Sequence, residues 1–386
     1  MTQPLTHLGD LPIEDFLRDY WQKKPLLIRN AFPHFESPID GDELAGLALE
    51  EEVESRLILE RGKTPWELQH GPFDEKIFTE LPESHWTLLV QAVDQWVPEV
   101  HELLNHFRFI PNWRLDDIMI SYAPDQGSVG PHFDYYDVFL LQGSGKRRWR
   151  IGQECDINSE HAEDTPLNIL KHFEQNEEWI LEPGDMLYIP PGIAHWGIAE
   201  GESITYSIGF RAPSHADIVC ELSHEIASTL TNDQRYSDPS LQLQNNPGEI
   251  GSQALQQIKS IMLDRLTDET LAHWFGKYMT ERKYAEDEAY GEEISITDWQ
   301  AALQDGVALW RHPAARFAYH ALPQSALLFA DGQVFNCTLP FAELVCRVLE
   351  LDYEQLQELL DNNDNLHTLH ALINQESLLL DDDEEL

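Results

Sequence analysis

Between residues 108 and 213 the chain repeats one rhythm: short β-type runs, DDIMISYAP, DVFLLQGSGKRRWRIG, EWILEPGDMLYIPPG and ESITYSIGFRAP, divided by Gly and Pro. Several short strands punctuated by turn residues specify a sandwich or a barrel. Upstream, Ile13, Phe16, Leu17, Tyr20 and Trp21 fall at helical spacing and lead into the strand-like PLLIR, so a helix followed by a strand is expected there.

Beyond Pro213 the texture changes. ADIVCELSHEIASTL and QALQQIKSIMLDRLTDETLAHWFGKYM carry apolar residues at three- and four-residue intervals and predict long helices. From about Ala285 helices accompany one hairpin, LLFADGQVFNC, whose ADGQ turn is a strong local signal, and helices plus a hairpin predict a winged-helix-like domain. The expected division is a barrel over 1–213, a helical dimerisation segment over 214–284, and a winged-helix-like domain over 285–386 that ends in the solvated acidic tail DDDEEL.

The formal net charge of −44 opposes long-range attraction to nucleic acid and favours a basic protein or peptide as partner; acidity serving solubility alone is the bland alternative. From Glu286 onward three basic residues face 21 acidic ones, so the winged-helix-like segment is not expected to bind DNA or RNA. Four cysteines, widely spaced and without a CxxC pair, argue against a disulfide framework or a zinc finger. No apolar run approaches the roughly 18 to 20 residues of a membrane span, and MTQPLTHLGD does not read as a signal peptide, so a soluble cytoplasmic protein with no membrane partner is expected.

Within GPHFDYY, strand alternation would turn His132 and Asp134 to one side with Tyr136, leaving Phe133 and Tyr135 for packing. An HxD alone specifies two ligands and arises often by chance. Gly184, Pro190, Gly192 and His195 in GDMLYIPPGIAHWG add a strand, a tight turn and a histidine, which resembles the second motif of the cupin superfamily. Two histidines and one carboxylate form a facial triad with open coordination positions, a set that favours Fe(II). Many cupins carry HxH and a later glutamate, and the aspartate here favours the oxygenase branch.

GSGKRRWRIG offers four basic residues. Alternation puts Arg147 with Trp149 and Ile151, and Lys146, Arg148 and Arg150 on the other face, so Arg147 is the inward one. A buried arginine needs an anion, either the far carboxylate of 2-oxoglutarate or an internal structural acid. Asp117, Met119 and Ser121 share one strand face, and Ser203, Thr205 and Ser207 share another; such faces line a pocket or meet solvent.

Together, FLRDYWQKKPLLIR, DDIMISYA, VGPHFDYYDVFLLQGSGKRRWRIG, LEPGDMLYIPPGIAHWG and SIGFRAP resemble the JmjC-type ribosomal oxygenases, above all the bacterial arginine hydroxylases of large-subunit ribosomal protein sixteen. The likeness spans most of residues 10 to 213, and the remainder fits that family's three-part layout. It implies an α+β architecture, a double-stranded β-helix (jelly-roll) barrel followed by helices and a winged-helix-like domain. It also implies an Fe(II)- and 2-oxoglutarate-dependent dioxygenase that uses O2 to hydroxylate the β-carbon of an arginine, and a homodimer. By the same resemblance the iron ligands are His132, Asp134 and His195, the 2-oxoglutarate contacts are Arg147 and Ser121, and the substrate side is lined by Asp117, Met119, Tyr136 and Ser207. Asp117 would pair with the guanidinium, and no catalytic side chain is implied beyond the metal centre. Thr205 stands where some relatives have asparagine. The rival expectations are a histidine hydroxylase or lysine demethylase on another basic protein, or a cupin scaffold that binds without turnover.

Overall fold

The computed structural model describes residues 4–283 and 293–380; the expected acidic tail and the start of the third segment lie outside them. The chain divides into two compact units, Met1–Ala212 and Pro213–Leu386.

The first unit is built on one nine-stranded antiparallel sheet. Across it run Leu26–Ile28, Met186–Ile189, Val138–Glu154, Ile193–Phe210, Leu115–Ala123, Trp86–Val90, Ser55–Arg61 and Pro65–His70, with Glu177–Leu181 added beside Val138–Glu154. The two longest strands, of 17 and 18 residues, carry the curl of a jelly roll, and their pairing is interrupted by register shifts at Ile193/His195, Glu200/Ser203 and Ile204/Thr205. Such irregularities bend a strand and increase its twist. Four strands that precede residue 108 belong to the same sheet, so the barrel begins well before the run that announced it.

Alternation sorts the two faces. Ile118, Ile120, Phe139, Leu141, Tyr206 and Ile208 are fully buried in the large core with Phe16 and Phe107. Each such apolar side chain stabilises the fold by roughly 1.5–3 kcal/mol relative to exposure. The opposite face of the same strands holds a smaller apolar cluster, Val138, Leu140, Trp149, Ile151, Leu181, Leu187 and Ile189. Asp117, Ser121, Arg147 and Thr205, all buried, lie on strands of this sheet as well. The helix Ile13–Asp19 and the strand Leu26–Ile28 form where the spacing predicts them.

In the second unit His215–Ser228 is one helix, but the long apolar stretch after it breaks into Ser252–Leu263 and Asp268–Thr280. The break falls where Thr267 turns extended and its side chain caps the next helix by accepting from the Thr270 N–H. The hairpin joins Ala326–Ala330 to Gln333–Cys337, and Asp331 and Gly332 both take positive φ, +49° and +77°, as a two-residue type I′ turn demands. A separate core of Trp299, Leu309, Phe341, Val345, Leu369 and Leu372 holds this unit. All four cysteines are free. Among the described residues no helix is long and apolar enough to cross a membrane.

Candidate metal centre and cosubstrate pocket

His132, Asp134 and His195 each present a ligand atom, and these atoms lie within 4.8 Å of one another; no other such group of three occurs among the described residues. Asp134 Oδ2 is 3.5 Å from His195 Nε2 and 4.0 Å from His132 Nε2. The expected strand over GPHFDYY does not form: the segment is irregular, touching the sheet only where His132 and His195 exchange backbone hydrogen bonds at 3.0 and 2.8 Å. Convergence therefore comes from this bridge, and the alternation argument does not apply. Tyr135, expected to pack, is 60% exposed, although Phe133 does meet it edge-on and lies parallel to His161.

Local backbone sets the state of both imidazoles. His132 Nδ1 lies 3.0 Å from the Gly130 carbonyl and His195 Nδ1 lies 3.0 Å from the Ile193 carbonyl. A carbonyl only accepts, so each Nδ1 carries a hydrogen, and in the neutral ring this tautomer leaves Nε2 as the nitrogen that can bind a metal. Burial, reinforced by neighbouring His132, pushes His195 down to about 4 against the pull of Asp134, so it is uncharged at neutral pH.

The supporting contacts are tight. Gly192, at φ +77°, donates its N–H to the Asp134 carbonyl at 2.8 Å, while its own carbonyl accepts from Cys155 N–H at 2.7 Å. Gly130, at φ +82°, leaves no room for a Cβ, which would come within 2.9 Å of Ile169. Ser128 Oγ accepts from the Gly130 N–H and the Trp196 indole, fastening the ligand segment to the sheet. At the segment's far end the fully buried Asp137 accepts from Tyr188, Gln22 and Arg114 at 2.6, 2.8 and 3.1 Å. Burial nevertheless holds its carboxyl above the usual range. Of these supports Gly192 belongs to the cupin-like motif, whereas Ser128 and Asp137 carried no signal of their own in the sequence.

Arg147 is 3% exposed, as alternation predicted. Lys146, Arg148 and Arg150 on the outward face pair with Glu182, Glu178 or Glu200. No carboxylate among the described residues forms an ion pair with Arg147, so the internal acid considered above is not there. Its Nη1 donates to Ser121 Oγ at 2.9 Å and to Thr205 Oγ1 at 3.4 Å, its guanidinium stands over Trp149, and Nε has no partner. Burial alone lowers it to about 10, still protonated at neutral pH. A buried cation held by hydroxyls, with an orphaned N–H, fits an anionic ligand.

Register places the remaining residues. Ser121 pairs with Thr205 and Met119 with Ser207 across Leu115–Ala123 and Ile193–Phe210. Tyr136, a residue 44% exposed, turns its hydroxyl toward Asp134 and Asp117; desolvation and these carboxylates hold the phenol well above its usual range. Asp117 is 3% exposed and accepts from Gln91 Nε2 at 2.8 Å, while Arg56 Nη2 reaches Gln91 Oε1 at 3.0 Å. Gln91 and Arg56 escaped the sequence reading because only the pairing of distant strands brings them here.

A jelly-roll barrel that gathers two Nε2-presenting histidines and an aspartate near an inward arginine without an acid partner defines a JmjC-type oxygenase. A JmjC domain model matches residues 102–218, and a ROXA-like winged helix model matches residues 255–379. Over 364 residues the chain is 35% identical to the ribosomal protein uL16 3-hydroxylase of Escherichia coli K12, covering 93% of this chain and 95% of that protein. It is 39% identical over 266 residues to a probable ribosomal oxygenase of Haemophilus influenzae, covering 66% and 64%. A solved structure of YcfD, a ribosomal oxygenase from Escherichia coli in complex with cobalt and 2-oxoglutarate, matches with a TM-score of 0.85 at 33% identity, covering 97% of this chain and 99% of that one. The chain belongs to the JmjC family of ribosomal oxygenases.

Proposed function

We infer that this chain is an Fe(II)- and 2-oxoglutarate-dependent hydroxylase of a ribosomal protein, adding a hydroxyl to the β-carbon of an arginine in large-subunit ribosomal protein sixteen, uL16. The observation that carries the reading is Arg147, a buried cation with an orphaned Nε and no carboxylate partner among the described residues. When bound, iron and 2-oxoglutarate supply the oxidation: O2 is consumed, 2-oxoglutarate becomes succinate and CO2, and one oxygen atom turns a C–H into a C–OH.

The protein's part is placement. His132, Asp134 and His195 would hold the metal through their clustered ligand atoms. Arg147 and Ser121 hold the far carboxylate of 2-oxoglutarate, and Thr205, beside the same guanidinium, completes that wall. Asp117 receives the substrate guanidinium, with Met119, Tyr136 and Ser207 around the side chain. No further catalytic side chain is required.

A net charge of −44 favours a free basic ribosomal protein over one already covered by rRNA, so the reaction precedes subunit assembly in the cytoplasm. A homodimer through the helical segment is part of the same reading. The helix Ser252–Leu263 has no buried residue, and an amphipathic helix of its length draws most of its stability from packing. Mass spectrometry of uL16 after incubation with the protein, Fe(II) and 2-oxoglutarate should find one added oxygen on an arginine peptide, with assembled subunits modified far more slowly. No such increment rejects the substrate, and equal rates on free and assembled uL16 reject the order.

A further inference from the structure

We propose that Gln91 is a positioning residue for the substrate guanidinium, standing between Asp117 and the chain's own Arg56 so that Arg56 does not take this carboxylate. The inference rests on the reading of Asp117 as the guanidinium acceptor.

Arg56 on Ser55–Arg61, Gln91 just past Trp86–Val90, and Asp117 and Met119 on Leu115–Ala123 come from three adjacent strands. Arg56 Nη2 donates to Gln91 Oε1 at 3.0 Å, and Gln91 Nε2 donates to Asp117 Oδ2 at 2.8 Å. The amide has one orientation here. A guanidinium only donates, so it claims the amide oxygen and leaves the NH2 for the carboxylate. Gln91 thus meets one oxygen of a buried carboxylate with a neutral donor, where a cation stands one amide further out.

Arg56 has two further neighbours. Its Nη2 also approaches Met119 Sδ at 3.8 Å, and its Nε lies 3.9 Å from Glu54. Without the spacer, Arg56 would reach Asp117 and make the charge-assisted, bidentate pair that the substrate arginine makes, in a site where water competes poorly. The incoming side chain would then have to displace a tethered copy of itself. Self-occupation of this kind raises KM and, once substrate is bound, leaves the chemical step largely alone.

The test compares the intact protein with Gln91→Ala, Arg56→Met and the double variant, following succinate release against the concentration of purified uL16. Gln91→Ala should raise KM for uL16 by about tenfold or more while kcat changes by less than about threefold. Arg56→Met alone should raise KM only a few fold, by about the loss of one neutral-acceptor hydrogen bond. The double variant should recover, with KM at least about threefold below that of Gln91→Ala, because the competing guanidinium is gone. A purely structural role for Gln91 gives no such rescue. A KM for Gln91→Ala within about twofold of the intact protein, or a double variant no better than Gln91→Ala, overturns the proposal. If the intact protein releases no succinate in response to uL16, the hydroxylase reading falls and takes the spacer with it, an outcome distinct from unchanged KM in an active enzyme.

Discussion

Around Arg147 the chain buries a positive charge with hydroxyls for company, while along Ser252–Leu263 it leaves Leu255, Ile258, Ile261 and Met262 between 38% and 61% exposed to water. The two regions break the ordinary partition of polar and apolar groups in opposite directions. On the proposed reading each imbalance calls for a partner whose nature follows its sign: a small anion for the barrel, an apolar protein surface for the helix. Burial separates them further. A pocket closed on most sides can enforce charge and shape, whereas an open stripe asks only for area.

The contrast is broken most severely at the metal centre. Asp134→Ala should reduce succinate release by about a thousandfold or more, since it removes the one carboxylate of the three ligands. Residual turnover within about tenfold of the intact protein would mean the ion is held elsewhere.

Arg147→Met separates function from fold. Losing a charge-assisted pair to the cosubstrate, worth about 2–3 kcal/mol, should raise KM for 2-oxoglutarate by about 30- to 150-fold. The ligand-free protein should keep its thermal midpoint or gain a few degrees, because a buried cation without an acid partner gives way to an apolar chain. A clear fall in the midpoint would show that Arg147 serves the fold instead.

The gentlest test concerns the helix. Leu255→Glu combined with Ile258→Glu should shift sedimentation from dimer to monomer without a loss of thermal stability beyond about 1 kcal/mol, since neither residue is buried within its own chain. An intact protein that sediments as a monomer at low concentration would remove the apolar half of the comparison.

Legibility in the sequence followed the range of the forces involved. Arg147 was readable because alternation along one strand needs no knowledge of neighbours, and Trp149 and Ile151 labelled its face. His195 was readable because Gly192, with its positive φ, marks the turn before it. The local rule failed over GPHFDYY, where His132 and Asp134 converge through a two-residue bridge to a strand some sixty residues away. Gln91 and Arg56 were invisible for the same reason: LVQAV and ESRLI carry no chemical signature until strand order sets them beside Asp117. The split of the long helical stretch was signalled by Thr267, a capping residue that the apolar periodicity on either side concealed.

The carbonyls of Gly130 and Ile193 each sit two residues before the histidine they orient, so the direction of both lone pairs is written into short stretches of main chain and does not wait for an ion. A substitution that shifts either stretch of main chain would therefore turn a ligand away without altering the histidine itself.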